Sequence, residues 1–276
     1  MAQAAGTLLL GGDLPIHRLG FGAYRLTQPG GWGRRASPHA LLQRAVELGV
    51  NLIDTADVYG ATQNERLIAE ALHPYPQGLV IATKGGLSHK GWRCDGSPRA
   101  LRRACEGSLQ RLKVERIDLY QLHAPDPEVP IEDSVGALSE LRAEGKIRHI
   151  GLCNVHPGQL EAARAVAPIA AVQNIYNATE RKWEALLAVC EERGLAFLAW
   201  HPLAGGSLAR RDARVTRVAN RIGVPPSALA LAWVLKRSPA LVPIPGTKSP
   251  AHLEENVGAA MLELSDGEFA ELPVSP

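Results

Sequence analysis

Cysteine is scarce in this chain. Cys94, Cys105, Cys153 and Cys190 are the only four in 276 residues, and no two stand in a Cys-x-x-Cys pair. Such a sequence builds neither a disulfide scaffold nor a thiolate metal site, so the expectation is free thiols in a reducing cytoplasm and no bound metal. An excess of either charge is missing too. Thirty Lys plus Arg stand against 28 Asp plus Glu, a formal net charge of +2, which leaves no basic footprint for nucleic acid. No apolar run reaches the roughly 18 residues of a membrane-spanning helix. Met1 to Ala5 lack the charged and apolar regions of a signal peptide, so the expected location is cytoplasmic. Low-complexity segments and interdomain linkers are absent as well.

What is present is an alternation. Hydrophobic residues make up 46% and charged ones 21%, ordinary for a globular protein able to bury a sizeable core. Residues 7–10 and 13–16, around Gly11-Gly12-Asp13, read as a β-hairpin. Eight short apolar runs follow at 18–22, 51–55, 79–83, 117–122, 147–153, 170–173, 196–200 and 241–244. Between them lie segments of helical period at 38–48, 64–72, 98–112, 131–144, 157–166, 179–193 and 225–237, with another at 251–260 after the last run. Ser37-Pro38 and Ser97-Pro98 are helix-start signals, and Gly49, Gly145 and Gly194 stand where helices stop. Continuous apolar strands indicate parallel pairing buried on both faces. The sequence therefore predicts one (β/α)₈ TIM barrel over residues 1–276, with an N-terminal β-hairpin. A doubly wound sheet usually carries a glycine-rich turn after its first strand. Here Gly20-Phe21-Gly22 runs on to Arg25 instead.

In a barrel the C-terminal strand ends converge, so distant residues become neighbours. The second strand ends at Asp54, with Tyr59 in the loop beyond. The third ends at Lys84, the fourth at His123, the fifth at Cys153-Asn154, the sixth at Gln173-Asn174 and the seventh at Trp200-His201. A lysine held near Asp54 stays charged and lowers the pKa of a nearby phenol, bringing Tyr59 toward proton transfer. His123 suits holding a carbonyl oxygen. No serine or cysteine nucleophile stands beside a base, which argues against acyl transfer. A proton donor beside an oriented carbonyl calls for hydride addition, and only a nicotinamide supplies hydride.

The tetrad, with the motifs Asp-Thr-Ala-Asp-Val-Tyr-Gly, Ala-Thr-Lys, Leu-His and Gly151-Leu152-Cys153-Asn154, resembles the aldo-keto reductase superfamily over nearly the whole chain. That resemblance implies Asp54, Tyr59, Lys84 and His123 as catalytic residues. It implies Asn154 and Gln173 as holders of the nicotinamide carboxamide. On the seventh strand the family usually has Tyr-Ser-Pro-Leu. This chain has Trp200-His201-Pro202-Leu203, so the stacking role passes to Trp200. Pro202 and Leu203 of this motif count as cofactor-binding, and Gly205 belongs to the loop 204–208 expected over the pyrophosphate. Gly246, Thr247, Lys248 and His252 correspond to the 2′-phosphate site, with His252 where arginine is common, and Glu255 and Asn256 to the adenine site. The implied cofactor is NADPH rather than NADH, and the implied partner a small-molecule carbonyl, in a monomer or weak homo-oligomer. Among bacterial branches the likeness is to pyridoxal reductases, which points to reduction of pyridoxal. Two other readings stay open: a cofactor-binding, redox-sensing partner protein on the same fold, and an aldolase using Lys84 as a Schiff base. The aldolase would leave Asn154, Gln173 and Trp200 without a task.

Overall fold

The structure, a computed structural model, describes residues 1–29, 37–88, 91–206, 208 and 213–272. Strands β1 (Thr7–Leu10) and β2 (Leu14–His17) form an antiparallel hairpin with Leu10 opposite Leu14. Eight parallel strands follow in sequential order: β3 (Phe21–Gly22), β4 (Leu52–Asp54), β5 (Val80–Gly85), β6 (Ile117–Leu122), β7 (Ile147–Cys153), β8 (Ile169–Ile175), β9 (Ala196–Trp200) and β10 (Leu241–Pro243). Helices α1 (Pro38–Glu47), α2 (Gln63–Leu72), α3 (Pro98–Leu112), α4 (Ile131–Ala143), α5 (Pro157–Val166) and α6 (Glu184–Arg193) alternate with them. Helices Ala213–Ile222, Pro226–Arg237, Pro250–Gly258 and Asp266–Glu271 complete the described set. This is the expected (β/α)₈ architecture.

Local chemistry sets the helix limits. Ser37 Oγ accepts the Ala40 N–H at 3.1 Å, and Ser97 Oγ that of Ala100 at 3.3 Å, satisfying amides that the first turn leaves unpaired. Gly49, Gly145 and Gly194 take φ of 89°, 76° and 65°, the left-handed conformation of a helix stop. One helix boundary differs from the sequence reading by more than two residues, and one helix is additional to it. α6 starts at Glu184 rather than near 179, because Asn177 Oδ1 accepts both the N–H and the Oγ1–H of Thr179 at 2.9 Å and holds a turn there. The helix Ala213–Ile222 lies outside the predicted segments. Its buried Val215, Val218 and Ala219 carry the i, i+3, i+4 signal that would have found it.

The hairpin plugs the N-terminal mouth of the barrel. Leu10 and Ile16 are fully buried and complete the interior cluster of Leu52, Val80, Leu119, Leu198 and Val242. Its turn is stapled to β7: Asp13 Oδ1 lies 2.7 Å from His149 Nε2, and Asp13 Oδ2 2.9 Å from an Arg148 guanidinium nitrogen. The opposite mouth, where the strands end, stays open.

The ends of the sheet meet through two backbone hydrogen bonds. Gly20 N–H donates to Pro243 O at 3.0 Å, and Gly22 N–H to Pro245 O at 3.2 Å. Glycine permits this approach. A Cβ on Gly22 would stand 2.6 Å from Ile244 O, and one on Gly246 would collide with Gly22 O. Gly22→Ala should therefore destabilise the fold by about 1–3 kcal/mol. In Gly136→Ala, within α4, the added methyl meets nothing within 4 Å, and that variant should be neutral or gain up to about 1 kcal/mol. Urea unfolding of both measures the contrast; equal effects would refute a tightly packed seam.

Candidate active site

The loop carrying Tyr59 is bolted to β5 beyond the formal end of β4. Thr55 N–H donates to Ala82 O at 2.8 Å and Asp57 N–H to Lys84 O at 3.2 Å. Buried Asn64 secures the other side, accepting from Thr55 Oγ1 at 2.8 Å and donating to Ala23 O at 2.9 Å. Inside this frame the Lys84 ammonium uses its three donors on three oxygens: Asp54 Oδ2 at 2.7 Å, Thr55 O at 2.8 Å and Tyr59 Oη at 3.5 Å. Lys84 is 1% exposed. Burial pulls its pKa down, but Asp54, with the Tyr59 phenol and the Cys153 thiol, pushes up harder, and the ammonium is held above the ordinary lysine range.

The same surroundings act differently on the neighbours. Burial pushes Tyr59 up to about 12, and the downward pull of Lys84 does not overcome it. The expected lowering by lysine is thus present as a force but loses to desolvation, and the phenol keeps its proton at neutral pH. His123 is pulled well below the ordinary imidazole range, by burial first and then by the Lys84 charge. It is neutral, and its buried Nδ1 has no hydrogen-bond partner among the described residues. Its ring meets that of Tyr59 edge-on, with centroids 5.7 Å apart.

A cleft of about 930 Å³ opens in front of these groups, near the upper end for small-molecule sites. Asp54, Tyr59 and His123 line one end, while Lys84 sits behind them. Every residue expected from the sequence to hold a cofactor also lines it: Asn154, Gln173, Trp200, Pro202, Leu203, Gly205, Gly246, Thr247, Lys248, His252, Glu255 and Asn256. Gln173 does more than expected, since its Nε2 donates to Asp54 Oδ1 at 2.7 Å and to Gln121 Oε1 at 3.4 Å. At the far end Ser249 caps the helix Pro250–Gly258, accepting the His252 N–H at 3.4 Å. A helix N-terminus flanked by Lys248 and His252 suits a phosphate, and the amides near Tyr59 suit a nicotinamide carboxamide. These residues therefore fit a nicotinamide dinucleotide phosphate.

Sequence reasoning missed several residues. Tyr24 and Arg25 line the cleft just after β3, where the strand-end rule, applied to the first strand, would have pointed. Gln121 is fully buried and donates to Asp54 Oδ1 at 3.3 Å; only its place on the inner face of β6 gives it that partner. Trp92, Asn154 and His201, which line the cleft, have left-handed backbone, as do Ala61, Thr62, Lys113 and Ala204, which do not line it. Trp32, in the segment after the first strand, lies outside the described residues.

Comparison with known proteins agrees with this geometry. A family model described as the aldo/keto reductase family matches residues 18–273. An uncharacterized oxidoreductase of Schizosaccharomyces pombe is 44% identical over 277 residues, covering 98% of this chain and 90% of that protein. Pyridoxine 4-dehydrogenase of Escherichia coli is 38% identical over 268 residues, covering 92% and 93%. The crystal structure of an aldo/keto reductase from Klebsiella pneumoniae in complex with NADP and acetate aligns with a TM-score of 0.82 at 28% identity, covering 96% of this chain and 93% of that one.

One carboxyl beside the site is out of balance. Asp57 is 5% exposed and its Oδ1 has no hydrogen-bond partner among the described residues. Burial, then the nearby Glu65, pushes its pKa from 3.8 up to about 7. The folded state thus binds this proton more tightly than the unfolded chain. Asp57's contribution to stability is full below pH ~4 and declines as pH rises toward 7. In Asp57→Asn that decline should disappear, moving stability relative to the wild type by roughly 2–4 kcal/mol in the variant's favour between pH 4 and pH 8. Urea midpoints across that range test it; parallel pH profiles would sink the assignment.

Proposed function

The chain belongs to the aldo/keto reductase family, and from that premise we propose that it is an NADPH-dependent carbonyl reductase with Tyr59 as the proton donor. When bound, the nicotinamide supplies the hydride. Asn154 and Gln173 would hold its carboxamide and Trp200 would offer a stacking face. Pro202, Leu203 and Gly205 would hold the pyrophosphate, Gly246, Thr247, Lys248 and His252 the 2′-phosphate, and Glu255 and Asn256 the adenine. Neutral His123 donates a hydrogen bond to the substrate's carbonyl oxygen and orients it. As that oxygen gains negative charge it becomes a stronger base than a phenolate. Tyr59 can then give up its proton despite a pKa near 12. Lys84, 3.5 Å from Tyr59 Oη, stabilises the phenolate left behind, and Asp54 keeps Lys84 charged and in place.

The observation that carries this reading is the Lys84 ammonium, buried and shared among Asp54, Thr55 and Tyr59. An amine held so firmly protonated is a poor nucleophile, which speaks against a Schiff-base aldolase. For the cofactor, the NADP bound to the Klebsiella pneumoniae protein supports NADP(H). Lys248 and His252 beside a helix N-terminus favour the phosphorylated form over NADH.

The substrate wall is aromatic. Tyr24 lies 4.9 Å from Tyr59 by ring centroids, and Trp92 lies 6.2 Å from both Tyr59 and His123. Together with the likeness to a pyridoxine 4-dehydrogenase, this supports a flat aromatic aldehyde, and pyridoxal is the proposed substrate.

Tyr59→Phe should cut the turnover of pyridoxal by about 10² or more while leaving NADPH affinity within about twofold, since only the transferable proton is removed. Steady-state rates with parallel NADPH titrations measure this, and near-normal turnover would exclude Tyr59 as the acid. For the cofactor, NADPH should bind more tightly than NADH. His252→Ala should erode that preference by up to about tenfold, roughly one charge-assisted hydrogen bond. The ratio of cofactor KM values in wild type and variant decides it; a wild-type preference for NADH would overturn the phosphate assignment.

A further inference from the structure

Asn154 follows β7 with a left-handed φ of 57°, and its backbone N–H donates to Gln173 O at 3.0 Å. Its side-chain amide is held at both ends. Nδ2 donates to the backbone carbonyl of His123 at 3.0 Å, and Oδ1 accepts the indole N–H of Trp200 at 3.1 Å. A carbonyl oxygen can only accept, and an indole N–H can only donate. One orientation of the amide satisfies both partners. The flipped one would set acceptor against acceptor and donor against donor. What remains for a ligand is the second hydrogen on Nδ2, beside the second lone pair of Oδ1.

Gln173 is fixed with the opposite polarity. Its Nε2 hydrogens go to Asp54 Oδ1 at 2.7 Å and Gln121 Oε1 at 3.4 Å, so its Oε1 is the atom left to meet a ligand. The Nδ2 hydrogen of Asn154 and the Oε1 of Gln173 thus form a donor–acceptor pair, the complement of a primary carboxamide in one orientation.

We propose that Trp200 is a positioning residue. Its indole N–H, separately from any stacking by its ring, sets the hydrogen-bond polarity of Asn154 and through it the orientation in which a carboxamide is accepted. The proposal rests on the reading that the cleft holds a nicotinamide. A phenyl ring at this position keeps a stacking face and loses the donor, so the two contributions of Trp200 are separable. The same link joins the ends of β9, β7 and β6, because the amide that Trp200 orients also holds the backbone of His123.

Two measurements test it. In cofactor-free, ¹⁵N-labelled protein, the indole resonance missing from Trp200→Phe identifies the Trp200 N–H among those of the five tryptophans. Asn154→Ala should move that resonance upfield and speed its exchange with solvent, leaving the other indole signals in place. In calorimetric titrations with NADPH, Trp200→Phe should weaken binding by about five- to tenfold, one hydrogen bond's worth. The Trp200→Phe, Asn154→Ala double variant should bind scarcely more weakly than the worse single variant. Multiplicative losses in the double variant, or an indole resonance indifferent to Asn154→Ala, would overturn the proposal. The resonance arm needs only Asn154→Ala and the wild type if Trp200→Phe fails to fold, since the signal that shifts alone is then the one at issue. Wild-type protein that does not bind NADPH would defeat the underlying functional reading, an outcome distinct from a hydrogen bond that fails to show in the resonance.

Discussion

The buried ion pair of Lys84 and Asp54 is the constraint on which the rest of the site depends. An ammonium and a carboxylate withdrawn from water carry a desolvation cost that their mutual attraction offsets only when every remaining lone pair and proton is satisfied. Here that condition is met from several strands. Lys84 on β5 bonds to Asp54 at the end of β4 and to the carbonyl of Thr55. The second oxygen of Asp54 accepts from Gln173 on β8 and Gln121 on β6. Four strands must reach the rim in register for the pair to be tolerable, and the same arrangement leaves Tyr59 as the group that faces the cleft.

Low polarity around this pair separates the two proton-bearing groups. Tyr59 is kept protonated and His123 neutral, both chiefly by burial. A neutral phenol and a neutral imidazole are the forms able to donate to an oxygen gaining charge. Desolvation is costly in the resting protein, yet it sets both protonation states that the proposed proton transfer from Tyr59 requires. In that proposal the nearby Lys84 ammonium, which pulls the Tyr59 pKa down, favours the phenolate left by proton transfer.

Stiffness elsewhere protects this geometry. The hairpin fills the bottom of the barrel with Leu10 and Ile16, which pack against the inward-facing residues of the strands. Gly22 and Gly246 let the first and last strands touch backbone to backbone. The open mouth is therefore bordered by a closed ring. Strained loop residues such as Asn154 and His201 are held there at the ends of strands paired into the parallel ladder.

The strands, most helix limits and the tetrad were legible in the sequence because they depend on local signals. Continuous apolar runs, serine–proline starts and glycine stops act within a few residues, and the strand-end rule turns them into a shared rim. The helix at 213–222 carried such a signal as well. Other features were not legible. Gln121 looks like any polar residue in a strand until the barrel sets it beside Asp54. The Trp200–Asn154–His123 link spans 46 and 31 residues of sequence, beyond the reach of any periodicity. The direction of the Tyr59 shift was misjudged for a related reason: the sequence names the neighbouring lysine but not the extent of burial, and burial is the larger effect. The sequence by itself determined which chemical groups arrive at the rim, because strand order and side-chain alternation are written locally. The tertiary structure alone decided their protonation, their hydrogen-bond polarity and the closure of the ring, because these depend on distance and on exclusion of water, which exist only once the chain is packed.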